Sequence, residues 1–100
     1  MLTREKIIEI LRDKFPYFTS EYGVKRIGLF GSYAKNLPTE ASDIDIIVEF
    51  HYPIGFKFIA FTEYLEQLLG KKVDVLTPAG IRGIRVENIA RDIEESIVYV

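Results

Sequence analysis

One hundred residues are enough for a single domain with one modest core, and 48% hydrophobic with 28% charged residues is the composition of a folded globular protein. The formal net charge of -2, from 13 Lys and Arg against 15 Asp and Glu, argues against sequence-independent binding of DNA or RNA, which needs a basic face. With no cysteine, disulfides and thiolate metal sites are excluded.

The charged start, Met1-Leu2-Thr3-Arg4-Glu5-Lys6, lacks the apolar run of a signal peptide, and no stretch approaches the roughly 18 to 20 apolar residues that span a bilayer. A cytoplasmic protein without membrane contact is expected. The mild gathering of Arg82, Arg85 and Arg91 reads as a solvated helix face.

In chain order, Thr3 can cap a first helix running to about Lys14, where Ile7, Leu11 and Phe15 recur at i, i+4 and i+8 beside Ile8. Pro16 is expected to end it. Lys25 to Phe30 reads as a short strand running into Gly31-Ser32, and the helical segment that follows should be brief because Asn36, Leu37 and Pro38 close it. Asp43 to Phe50 is the clearest strand: Ile44, Ile46, Val48 and Phe50 alternate with Asp43, Asp45, Ile47 and Glu49. A turn around Pro53 and Gly55 leads to a second long helix, about Phe58 to Leu69, closed by Gly70. Lys72 to Leu76 reads as a third strand. Thr77-Pro78 opens a further helical region, with Val86, Ile89, Ala90 and Ile93 carrying it to about Glu95, and Ile97 to Val100 can add a terminal strand. The alternation of helix and strand predicts an α/β arrangement in one domain, residues 1–100, with no repeat or linker.

Chemistry concentrates between the first two strands. Glycine at a strand-to-helix turn lets the backbone approach a phosphate, the first helical N–H groups point at the anion, and Ser32 adds a hydroxyl donor. Ten residues after this pair, Asp43-Ile44-Asp45 places two carboxylates on one strand face with Cα atoms about 6.5 to 7 Å apart, suited to one or two Mg²⁺ ions. Asp74, within a strand and flanked by valines, reads as a buried carboxylate that a metal would satisfy. Taken singly, each feature is ordinary: a turn, a solvated strand edge, and an aspartate paired with Lys71, Lys72 or an arginine. Together they point to nucleotidyl transfer. Lone His51 reads as surface, and Glu49 as a minor contributor at most.

The pattern of Gly31-Ser32, Asp43-Ile44-Asp45 and Asp74 resembles the nucleotidyltransferase superfamily that includes DNA polymerase beta. In length and element order it resembles the minimal nucleotidyltransferase (MNT) antitoxins paired with HEPN toxins. The resemblance implies a small mixed β-sheet with helices packed against it. It also implies catalytic metal on Asp43 and Asp45, completed by Asp74, which helps activate the acceptor hydroxyl, and the triphosphate on Gly31 and Ser32. The implied reaction moves AMP from ATP to a tyrosine of a HEPN ribonuclease partner. Lys35-Asn36 stands where such proteins often carry Arg-Gly; lysine keeps the charge without bidentate geometry, and asparagine tolerates a left-handed turn. Two other readings compete with an active antitoxin: a catalytically silent module that neutralises its partner sterically, and a stand-alone transferase acting on a small-molecule hydroxyl.

Overall fold

In the computed structural model, which describes residues 2–39, 41–82 and 97–100, helix α1 spans Arg4–Tyr22 and runs through Pro16. The Thr3 side chain accepts from Lys6 N at 3.1 Å, as expected for its cap. The expected stop at Pro16 is corrected. A proline inside a helix costs about 3 kcal/mol, but the segment beyond it buries Phe18 completely and Tyr22 almost so. Each such side chain returns roughly 1.5–3 kcal/mol. Their rings also meet Phe61 at 5.5 and 5.1 Å between centroids, in edge-on and tilted geometry. Tertiary burial therefore carries the helix past the local breaker, to Gly23, whose N–H donates to Phe18 and Thr19 carbonyls. Phe18→Ala is expected to destabilise the fold by about 3–5 kcal/mol in chemical denaturation.

Strand β1 (Val24–Phe30) follows, then the short helix α2 (Gly31–Ala34) and strand β2 (Ile44–Phe50). Helix α3 (Lys57–Leu69) crosses to strand β3 (Val73–Leu76), and α4 (Pro78–Arg82) and β4 (Val98–Tyr99) complete the described elements. Thr77 accepts from Gly80 N at 3.2 Å, as a residue capping α4 should. The expected continuation through Val86, Ile89, Ala90 and Ile93, like Arg85 and Arg91, lies outside the described residues.

The sheet has four strands in the order β3-β2-β1-β4. β2 is antiparallel to β1 and parallel to β3, and β4 is antiparallel to β1, so the sheet is mixed as expected. A parallel neighbour requires a crossover, which α3 provides. Alternation then sorts the side chains. Ile27 and Leu29 of β1 join Ile44, Ile46 and Val48 of β2 in the core with Ile7, Leu11, Phe18, Phe61 and Leu65, all fully buried. The opposite face carries a smaller apolar cluster, Phe30 and Ile47 with Leu76 and Ile97, and the carboxylates.

Candidate active site

The polar end of the sheet is built where β1 stops. Gly31 has φ +74°, a left-handed conformation that costs other residues roughly 1–2 kcal/mol. A Cβ on Gly31 would overlap Asp45 Oδ2. The backbone of the turn therefore lies directly against the carboxylate on the neighbouring strand, an approach only glycine permits. α2 has no side-chain cap, its preceding residue being Phe30, so the Ser32 hydroxyl is not spent on closing the turn. Lys35 N and Leu37 N donate to Gly31 and Ser32 carbonyls, and Asn36 closes the segment at φ +61°, the left-handed role expected of it.

Register decides how the carboxylates meet. Phe30 pairs with Asp45 across β1 and β2, and Asp45 pairs with Asp74 across β2 and β3. The Gly31 turn, Asp45 and Asp74 thus form a row across three adjacent strands, with Asp43 two residues before Asp45 on the same face. The consequence is electrostatic. Burial first, then the neighbouring charges of Asp74 and Asp43, push the Asp45 pKa up to about 6. A cation placed among these groups would relieve that repulsion, and carboxylate oxygens are the donors a hard divalent ion prefers. By that chemistry the donor set fits such an ion. As the side chains stand, no three acidic or histidine residues among those described already enclose an ion position. Asp43 leans toward Lys72, with Oδ2 and Nζ 3.9 Å apart.

Asp74 is where the sequence reading needs correction. It is exposed rather than buried between its valines, because Val73 and Val75 face the helices while the alternate residue opens to solvent. Its placement beside Asp45 holds, but for reasons of register rather than burial. Glu49 is engaged with Arg26 at 3.5 Å, and the Arg26 guanidinium lies 4.1 Å from the Tyr99 ring centre; His51 is exposed. Two contacts escaped the sequence. Lys72 stands beside Asp43 because Ile44 N donates to the Lys72 carbonyl at 3.1 Å, aligning the strand starts. Arg4, at the far end of the chain, donates to the Ala34 carbonyl at 3.3 Å. No motif or periodicity signals either.

Comparison with known proteins identifies the family. The nucleotidyltransferase domain family matches residues 4–100. A relative from Methanocaldococcus jannaschii that bears a protein adenylyltransferase name is 45% identical, each chain covered in full. The protein adenylyltransferase MntA of Thermococcus cleftensis is 40% identical over 100% of this chain and 98% of its own. Among solved structures, a minimal nucleotidyltransferase superposes with a TM-score of 0.72 at 23% identity, covering 97% of this chain and 95% of that one, a likeness of fold. A toxin–antitoxin structure with AMP-PNP gives 0.62 at 25% identity, over 98% of this chain and 72% of that one. With a mixed sheet, a glycine-serine turn and a D-x-D strand in one register, and relatives matching over its whole length, the chain belongs to the nucleotidyltransferase domain family and is a nucleotidyltransferase.

Proposed function

We propose that the chain is a Mg²⁺-dependent protein adenylyltransferase and an antitoxin, one minimal nucleotidyltransferase domain over residues 1–100. It transfers AMP from ATP to a tyrosine hydroxyl of a HEPN ribonuclease toxin in the cytoplasm and so neutralises it. The observation that carries this reading is the row formed by the Gly31 turn, Asp45 and Asp74 across three strands. In this reading the Gly31 turn takes the leaving pyrophosphate, Asp45 stands beside the reacting phosphate and Asp74 beside the acceptor.

Gly31 and Ser32 hold the β- and γ-phosphates through backbone N–H groups and the hydroxyl. Asp43 and Asp45 hold the metal, and Asp74 completes the set. Magnesium bound there supplies charge neutralisation at the reacting phosphate. Asp74, open to solvent, accepts the proton of the tyrosine hydroxyl as its oxygen bonds to the α-phosphorus. The bond from that phosphorus to the bridging oxygen breaks, and pyrophosphate leaves on the Gly31 side. The names of the relatives, protein adenylyltransferases and a toxin–antitoxin complex with AMP-PNP, support a protein acceptor and an adenine nucleotide. Among the described residues no helix is long and apolar enough to cross a membrane.

The test is label transfer. The chain, the protein encoded beside it and Mg²⁺ are incubated with each nucleoside triphosphate labelled at the α-phosphate. Label on a partner tyrosine from ATP, lost on chelation of the metal, is expected. A tight complex that acquires no label from any nucleotide would replace the enzyme by the steric module.

A further inference from the structure

We infer that Arg4 is a positioning residue for the nucleotide site: through the Ala34 carbonyl it holds the α2 segment, and with it the Gly31-Ser32 turn, against Asp45. The inference rests on the reading of Gly31-Ser32 as the phosphate-binding turn and goes beyond it to a residue 27 positions away in sequence.

Three observations converge. First, α2 has only four residues. A single turn of helix is far below the length at which helices hold themselves, so tertiary anchors must set its orientation. Buried Tyr33 and Ala34 provide an apolar anchor. The polar one is Arg4 Nη1, which donates to the Ala34 carbonyl at 3.3 Å. That carbonyl belongs to the last residue of α2, among those a helix leaves without an internal partner, and a guanidinium suits both its lone pairs and the negative end of the turn.

Second, the guanidinium is itself held. Arg4 Nε and Nη2 both donate to Glu5 Oε1, at 3.3 and 3.1 Å, which leaves Nη1 directed at Ala34. Arg4 is the first residue of α1, next to the Thr3 cap, so its backbone is fixed to a helix anchored in the core by Ile7, Leu11, Phe18 and Tyr22. Third, the turn at the other end of α2 has no slack. Gly31 already touches the Asp45 carboxylate so closely that a methyl group would overlap it. A small rotation of α2 therefore changes both the direction of the N–H groups at Gly31 and Ser32 and the freedom of Asp45.

Arg4 touches neither nucleotide nor reacting atoms in this account, so its loss should act on binding before chemistry. The experiment compares the full chain with Arg4→Ala, Arg4→Lys and Glu5→Ala. Affinity for the non-hydrolysable analogue AMP-PNP with Mg²⁺ is measured by calorimetry, KM and kcat by label transfer, and Tm by thermal melting. Arg4→Ala is expected to weaken AMP-PNP binding and raise the ATP KM by about tenfold, with kcat changed by less than about threefold. Arg4→Lys, which keeps one charged donor, should recover most of the affinity. Glu5→Ala leaves the guanidinium in place but unmoored and should show a smaller loss, roughly threefold; it keeps the test decisive should Arg4→Ala fail to fold. A purely structural arginine would lower Tm while leaving affinity and KM unchanged, and that result would overturn the inference. If the unsubstituted protein itself binds no nucleotide, the reading of the site falls and the inference with it. Binding by the unsubstituted protein that Arg4→Ala leaves intact removes only the role of Arg4.

Discussion

Asp45→Asn is expected to abolish nucleotidyl transfer and, in the absence of metal, to make the protein more stable at neutral pH. The two effects have one cause. Asp45 is partly buried and faces Asp43 and Asp74, which raises its pKa from 3.8 to about 6. Between about pH 4 and 6 the folded protein holds a proton that the unfolded chain has released, so stability falls as pH rises across that window. The contribution is fully present below about pH 4 and lost above about pH 6. Asparagine keeps the shape and removes the titration. The gain at pH 7.5 is about 1 kcal/mol once solvent screening of a half-open carboxylate is allowed for, a rise of roughly 4–8 °C in Tm for a domain of this size. It should vanish near pH 4. Removing a charged ligand from the proposed metal set should meanwhile cost at least about a hundredfold in rate. Thermal melting in chelator at the two pH values, alongside label transfer with Mg²⁺, checks both halves. Transfer at the normal rate by Asp45→Asn would remove Asp45 from the chemistry. A stability unchanged at pH 7.5 would mean that burial and the neighbouring Asp74 and Asp43 do not disfavour the Asp45 charge as its place in the sheet implies.

Gly31→Ala is the second large effect, and here a control isolates the cause. Alanine at φ +74° pays the left-handed cost of roughly 1–2 kcal/mol, and its methyl group also displaces the Asp45 carboxylate. Gly70, closing α3 at φ +68°, has the same backbone conformation but nothing within 4 Å of a would-be Cβ. Gly70→Ala should therefore lose similar stability and keep its activity. Gly31→Ala should lose a comparable amount of stability and, in addition, about a hundredfold or more in transfer. Denaturation curves compare the stabilities and label transfer the rates. If the two variants were equally active, the close approach of the turn to Asp45 would be a packing detail and not part of the site.

What was legible in the sequence was local. Period-two alternation in Asp43 to Phe50 assigned Ile44, Ile46 and Val48 to the core and both aspartates to the other face, because successive side chains in a strand must alternate. Gly31 and Asn36 marked the two ends of a short helical turn through backbone conformations that few residues adopt, and Gly70 marked the end of α3 in the same way. Thr3 and Thr77 announced helix starts because a side-chain oxygen there satisfies an N–H three residues on. The spacing of Gly31-Ser32 to Asp43-Ile44-Asp45 carried the family, since a turn and a strand separated by a short loop have little freedom to lie apart.

Long-range terms decided the rest. Local propensity stops α1 at Pro16, and only the burial of Phe18 and Tyr22 against Phe61, contributed from a helix some forty residues further along, carries it to Tyr22. Flanking valines suggested a buried Asp74, whereas Val73 and Val75 take the positions of β3 that face the main core and Asp74, between them on the other face, is exposed. No local pattern states that β3 runs parallel beside β2 in the register Asp45 to Asp74; the α3 crossover and the starting bond from Ile44 to Lys72 set it. Nor does any residue near Ala34 announce Arg4. The sequence alone thus determined which chemical groups this protein has and which face of its own element each occupies, because those depend on backbone periodicity. Only the tertiary structure decided which groups meet, because strand pairing and helix docking are settled by the apolar surface that the whole chain buries together.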